Sequence, residues 1–364
     1  MKMRYRIRPQ CIRVVEESEI LMQIALFRYI ILTHLITSIS GLSKALFLKL
    51  SHLSFNDTRY LFEPLLLSYP LPIFRSGIKI DRMNIISVDD LNMKALDIYA
   101  RLSETQLLHY NEPEPGLFIA ESPNVVKMAV DAGYEPVSLL VEEERLEKEA
   151  RPVIACILEK NGEESAESLP VYMAKREILK ELTGYALVRG LWGAFRRKPM
   201  QDISTFCTGK DNLVILYNIV NPTNVGAITR SAAALGMDGM IATYDTVNPL
   251  SRRSARVSMG TVFLMPWITV GRPESEGSSL ISALKALGYL TVAMALTDNS
   301  TGIDDPLLKS HKRRAIILGT EGYGLPEEVI NACDHAARIP MHHGVDSLNV
   351  AAASAVCFWE LMRC

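Results

Sequence analysis

From residue 83 onward, apolar positions recur first at one period and then at another, and that switching predicts an α/β chain. Asn84 to Arg101, with Leu91, Ala95, Ile98 and Leu102 at helical spacing, predicts a helix. Gly116 to Ser122 (GLFIAES) predicts a short buried strand. Ser122-Pro123 then opens a helix over Asn124 to Ala132, with serine as cap, proline in the first turn and Gly133 ending it. Val137 to Val141 predicts a strand, EEERLEKEA an acidic helix, Asn161-Gly162 a polar turn and Leu169 to Met173 another strand. Strands separated by helices describe a compact α/β unit. Lys198 to Asn212, with Pro199, Ser204, Thr208 and Gly209, lacks apolar periodicity and reads as a linker.

The pattern sharpens after the linker. Leu213 to Tyr217 predicts a buried strand, and Asn221-Pro222-Thr223-Asn224 a turn that places Thr223 or Asn224 as helix cap. Val225 to Leu235 predicts a helix with Val225, Ile228, Ala232 and Leu235 on one face; Gly236 stops it, and Gly239 to Thr243 is the next strand. This is a βαβ unit, so the sheet is parallel and its ligand side is the carboxyl ends of the strands. Ala315 to Leu318 is a strand running into Gly319-Thr320-Glu321-Gly322-Tyr323-Gly324. Arg338 to Met341 predicts a short strand, His342 to Val345 a turn and Ser347 to Leu361 an alanine-rich helix.

Residues 1–82 do not share this pattern. Ile20 to Ser40 has the length of a membrane span, but Arg28 sits near its middle. A central arginine costs about 2.5–3.5 kcal/mol on insertion, so no stable span is expected. No small-x-small site closes the segment as a signal peptide would. Met83 begins MNIISVDDLNMKALDIYARLSE, which looks like a proper bacterial start, so residues 1–82 read as an atypical extension, non-native or disordered; a helical extension and a membrane-associated one stay open.

Composition narrows the class further. At 48% hydrophobic and 22% charged, the chain can bury real cores. A formal net charge of −2 gives no global electrostatic reason for a nucleic-acid partner, so RNA contact must come from local basic patches. Arg189, Arg196 and Arg197, with Lys198, lie among Tyr185, Trp192 and Phe195; a second group is Arg252, Arg253 and Arg256, a third His311 to Arg314. Basic residues interleaved with aromatics suit backbone neutralisation and stacking, while buried aromatics beside a solvated basic edge explain the first cluster as well. None of the six cysteines forms a C-x-x-C pair, and adjacent His342 and His343 point differently. No metal is expected, and reduced thiols fit a cytoplasmic protein.

The glycine-rich loop after Leu318 lets backbone approach a ligand closely. It lacks the Lys-Ser/Thr of a P-loop and is not G-x-G-x-x-G, which disfavours nucleoside triphosphates and dinucleotides. Glu321 inside it would repel phosphate but can orient an arginine or accept a hydroxyl proton. Three ordered stretches, NPTNVGAITRSAAALG, ILGTEGYGL and IPMHHGVDSLNVAAASA, together with RRSARVSMGTVFLMPW between the first two, resemble the SpoU/TrmH ribose methyltransferases of the SPOUT superfamily. The resemblance covers residues 211–362. Residues 83–198 are similar to the small substrate-binding domain that precedes the catalytic domain in many members.

The resemblance implies a knotted, trefoil α/β methyltransferase domain over 213–364 after the 199–212 linker, a homodimer, and S-adenosylmethionine as cofactor. It implies transfer of a methyl group to a ribose 2′-hydroxyl of RNA, rRNA before tRNA; a non-catalytic RNA-binding assembly factor of the same fold is the alternative from another class. Asn224, Arg230, Glu321, Ser347 and Asn349 fall on the family's functional positions. The cofactor pocket would comprise Leu318, Gly319, Thr320, Glu321 and Gly324 from one loop. Ile339, Pro340, Met341, Ser347, Leu348 and Asn349 would come from the other. RNA contacts would come from Arg230 together with Arg189, Arg196, Arg197, Arg252 and Arg256.

Overall fold

Two sheets order the chain in the computed structural model, which describes residues 84–363 apart from 91, 163–167 and 184–189. The expectations for residues 1–82, for Arg189 and for Tyr185 lie outside the described residues.

The first sheet is built from β1 (Ile85–Ser87), β2 (Leu117–Glu121), β3 (Pro136–Glu142), β4 (Val171–Ala174) and β5 (Leu191–Arg196), in the order β1-β4-β3-β5-β2. β1, β4 and β3 run parallel, while β5 pairs antiparallel with both β3 and β2. Side chains alternate between two cores, as a strand buried on both faces requires. Phe118 and Ala120 join α1 (Pro123–Asp131) and α2 (Arg151–Asn161) on one face, while Leu117 and Ile119 meet Leu96, Tyr99 and Leu107 on the other.

Three stretches depart from their local sequence signal. Asn84 to Arg101 is no single helix: β1 takes its start, and a 3-10 turn at Lys94–Leu96 leads into α-helix at Asp97–Ala100. β1 is the edge strand beside β4, and pairing there outweighs the weak helical spacing. Ser122 does not cap α1, because its backbone sits at φ 96° and its hydroxyl makes no cap bond. The 199–212 stretch contains a short helix, Ile203–Phe206, and Phe206 and Cys207 are buried in the core that follows.

The second sheet holds seven strands: β6 (Asn212–Leu216), β7 (Gly239–Ala242), β8 (Trp267–Thr269), β9 (Leu290–Met294), β10 (Thr301–Gly302), β11 (Arg314–Leu318) and β12 (His335–Arg338). Their order is β10-β12-β9-β11-β6-β7-β8, and every pairing is parallel. Val214 and Leu216 of β6 face α4 (Pro222–Ala234) and α9 (Val350–Met362). Leu213 and Ile215 face α6 (Ser279–Ala286) and α8 (Glu327–Ala332). The strand expected at Arg338 to Met341 lies earlier, at His335–Arg338, where it pairs with β9. Residues 339–349 are thereby freed as a loop.

Between the sheets runs α5 (Arg252–Val257), packed against α4 on one side and β2 on the other. A Cβ at Gly226 would lie 2.6 Å from the Ser254 carbonyl oxygen and 2.8 Å from the Val257 Cβ, so only glycine admits this α4–α5 approach.

Candidate active site

Three carboxyl-end loops of the parallel sheet meet at one place, where open α/β sheets hold their ligands. After β6 the chain turns at Asn221, whose side chain accepts the Thr223 backbone N–H at 2.9 Å and caps α4, with Pro222 at the first helical position. The cap is therefore Asn221 and not Thr223 or Asn224. With its side chain released from capping, Asn224 is only 5% exposed inside the first turns of α4.

After β11, Gly319 and Gly324 bring the chain back on itself. A Cβ at Gly319 would lie 2.6 Å from the Gly324 carbonyl carbon, and Thr320 bridges Gly324. Glu321, Gly322 and Tyr323 form the tip, with Tyr323 98% exposed. After β12, Val345 donates to the His342 carbonyl at 3.2 Å, and Gly344 carries φ 73°. The loop ends at Asn349, whose Oδ1 accepts the Ala351 N–H at 3.0 Å and caps α9. The helix thus starts at Val350, later than the expected Ser347, because the cap satisfies the first-turn donors there.

Asn349 joins the three loops. Its Nδ2 donates to the Asn224 Oδ1 at 3.3 Å and to the Glu321 Oε1. One amide thus caps a helix with its oxygen while its nitrogen binds a second amide and a carboxylate. The Asn224 Nδ2 is buried without a hydrogen-bond partner among the described residues. An orphaned donor of this kind costs about 1–3 kcal/mol, a cost that a bound acceptor would remove. Arg230 and Ser347 stand apart from this cluster. Arg230 is exposed farther along α4 and makes no hydrogen bond or ion pair with the described residues. Glu321 therefore binds Asn349 and does not hold Arg230. Ser347 and Leu348 lie in the exposed loop, Leu348 at 40%.

The expected RNA-contacting arginines divide by environment. Arg197 is 6% exposed; it donates to the Leu117 carbonyl at 2.7 Å and to Asn248 Oδ1 at 2.9 Å, and burial pushes its guanidinium down to about 10. Arg252 donates to the carbonyls of Tyr99 and Ile98 at 2.5 and 3.0 Å and lies over the Trp192 ring. Arg256 donates to Glu121 at 2.9 Å, a carboxylate 8% exposed whose pKa burial raises against the pull of Arg256. Their donors go to internal acceptors, so all three arginines have a protein-holding role. Trp192 and Phe195 are core, as the plainer reading of that cluster had it. Arg196 remains at the surface, 50% exposed in an ion pair with Glu135. Thr223, a cap candidate in the sequence, instead accepts from Arg253 at 2.9 Å and ties α5 to the start of α4. Only its place beside the Asn-Pro turn marked it.

Residues 211–359 match the model of the SpoU rRNA Methylase family. A Mycobacterium bovis protein named as an uncharacterized tRNA/rRNA methyltransferase is 31% identical over 248 residues, covering 68% of this chain and 81% of that one. The 23S rRNA (guanosine-2′-O-)-methyltransferase RlmB of Bordetella pertussis is 33% identical over 164 residues, covering 45% of this chain and 64% of the relative. Among solved structures, an AdoMet-bound rRNA methyltransferase from Sinorhizobium meliloti superposes with a TM-score of 0.64 at 24% identity, covering 77% of this chain and 98% of the other. That likeness shows the same fold. With a family model on the parallel-sheet half and a 31% identical relative covered over most of its length, the chain belongs to the SpoU methyltransferase family.

Proposed function

We propose that this protein transfers a methyl group from S-adenosylmethionine to a ribose 2′-hydroxyl of structured RNA, with rRNA as its substrate. The observation that carries the reading is the meeting of Asn224, Glu321 and Asn349 through one amide. The rRNA assignment rests on the substrate that the name of the Bordetella relative states. The residues fit the cofactor: the Gly319–Gly324 turn and the 339–349 loop offer backbone groups at an open rim, and a Cβ at Gly322, Gly324 or Gly344 would meet nothing within 4 Å. Leu318, Thr320, Ile339, Pro340, Met341 and Leu348 would hold it together with those glycines. When bound, S-adenosylmethionine supplies an electrophilic methyl.

The chain's own groups position the ribose and stabilise charge, and orientation alone can contribute several kcal/mol. Asn349, fixed by Glu321, and Asn224, with its free donor, orient the sugar. Ser347 orders the loop around it. Arg230 binds the adjoining phosphate and stabilises the charge that grows on the 2′-oxygen; guanidinium stays protonated and is a poor base. The partner is a second copy of this chain, seated on the exposed α9 stripe of Val356 and Trp359 and on Leu348, which are 41%, 57% and 40% exposed. The reading includes a trefoil crossing of the C-terminal segment and a cytoplasmic location.

The test is transfer of tritiated methyl from S-adenosylmethionine onto unmodified bulk bacterial rRNA. Arg230→Ala is expected to lower turnover by about 10²–10³-fold with cofactor binding kept. Wild-type turnover in Arg230→Lys would contradict a bidentate guanidinium role.

A further inference from the structure

The small sheet does not hang from the catalytic half by a tether; it shares a core with it. Leu250, Ala255 and Val262, which belong to the segment between β7 and β8, are buried among Phe118, Val126 and Phe195 of the small sheet unit. Phe263 packs tilted against Phe118 and edge-on to Tyr134, with ring centroids 5.7 and 5.4 Å away. Around this apolar seam stand the three arginines described above. Arg252 spans to Tyr99, Ile98 and Trp192, and its backbone N–H donates to Glu104 at 3.0 Å. Arg256 spans to Glu121, and Arg197 reaches back the other way to Asn248. Interfaces between domains that are apolar and well bonded do not hinge freely.

The same helix α5 touches the catalytic cluster. Gly226 lets it lie directly on α4, and Arg253 bonds Thr223, the residue before Asn224. Ser254 also donates to the Pro222 carbonyl at 3.0 Å. One short helix therefore holds the small sheet on one side and the start of the Asn224 helix on the other.

We infer that α5 fixes the small sheet at a set position relative to the Asn224–Glu321–Asn349 cluster, with Arg252 and Arg256 as positioning residues, so that the two halves read RNA as one rigid surface. This rests on the RNA methyltransferase reading for its substrate. The RNA that fits such a surface is a folded one, in which the structure gripped by the small sheet and the target ribose stand at a fixed separation. Short fragments that reach only the methyl-transfer site gain nothing from the small sheet. Arg252 and Arg256 act through protein groups and make no phosphate contact.

The experiment uses the full chain, with Arg252→Gln and Arg256→Gln as the loosened variants and Arg256→Lys as the conservative one. Amide hydrogen exchange over 97–104 and 117–122 reads the seam without reference to activity, and faster exchange in both glutamine variants is expected. Kinetics on unmodified bulk rRNA are expected to show KM raised about tenfold and kcat kept, with Arg256→Lys close to wild type. On the same RNA cut to short fragments, wild type and variants should be alike. The dependence of RNA affinity on salt separates positioning from contact, because each lost phosphate contact lowers the slope by about one. An unchanged slope is expected, and a lowered one would overturn the inference. Unchanged exchange, or faster exchange with KM at the wild-type value, would overturn it also. If wild type methylates no RNA, the functional reading fails, and the exchange measurement still decides whether α5 holds the seam.

Discussion

Asn349 shows how much one side chain can be asked to do, and its two ends can be tested separately. The Oδ1 caps α9 and the Nδ2 binds Asn224 and Glu321. Asn349→Asp keeps an acceptor for the cap, where aspartate serves as well as asparagine, but loses the donor and sets a second carboxylate against Glu321. Thermal stability is expected to stay within about 1 kcal/mol of wild type while methyl transfer falls by roughly 10²-fold. Equal losses of both would show that the amide matters only to the helix. Met259 presents the opposite case, a residue at odds with its own backbone. Its N–H bonds the Arg256 carbonyl and that of Gly260 bonds Ala255, the pattern of a helix end whose left-handed position favours glycine. Met259 holds φ 56° there, so Met259→Gly is expected to raise stability by about 0.5–1 kcal/mol in a denaturant titration. At this scale the sequence marked Asn224, Glu321 and Asn349 through their motifs. It could not show that Asn221 takes the cap and frees Asn224, because both residues suit either role.

At the scale of elements, the parallel sheet was legible and the first strand was not. β6, β7 and β11 are runs buried on both faces and bounded by turn residues, a signal that survives without tertiary information. β1 has only three residues, Ile85–Ser87, and owes its form to pairing with β4, which no local pattern announces. The arginines of α5 were equally opaque. A basic residue in a loop-rich segment can face solvent or span to a neighbouring sheet, and only the fold decides. Arg256 supplies a pH test of that assignment. Burial raises the Glu121 pKa, Arg256 and Arg252 oppose the rise, and Glu104 adds to it. Arg256→Gln removes the main opposition, so Glu121 in the folded state holds its proton more tightly than in the unfolded state. Stability from such a group is present at low pH and lost as pH rises through the folded value. The variant's deficit against wild type is expected to be small near the ordinary glutamate range and to grow to about 1–3 kcal/mol at neutral pH. A deficit that shrinks as pH rises would contradict an internal ion pair.

For the whole molecule, a net charge of −2 hides the local arrangement on which the proposal depends. Cations such as Arg197, Arg252 and Arg314 are committed internally, whereas Arg230 is exposed and makes no hydrogen bond or ion pair with the described residues. Association was likewise not readable from composition, since alanine-rich helices bury or expose apolar faces according to what packs on them. The face of α9 left open carries Val356 and Trp359, and Trp359→Glu is expected to yield a monomer by sedimentation, with methyl transfer lost and the fold kept. A monomer of full activity would show that the site is complete within one chain.

Methyl transfer to the ribose 2′-oxygen is read most simply from where the methyl group ends up. rRNA labelled by the full-length protein with tritiated S-adenosylmethionine would be hydrolysed in alkali and its products separated. Alkali needs a free 2′-hydroxyl to cut the chain, so ribose methylation predicts label in uncut dinucleotides. Label in mononucleotides would place the methyl on a base and contradict the account.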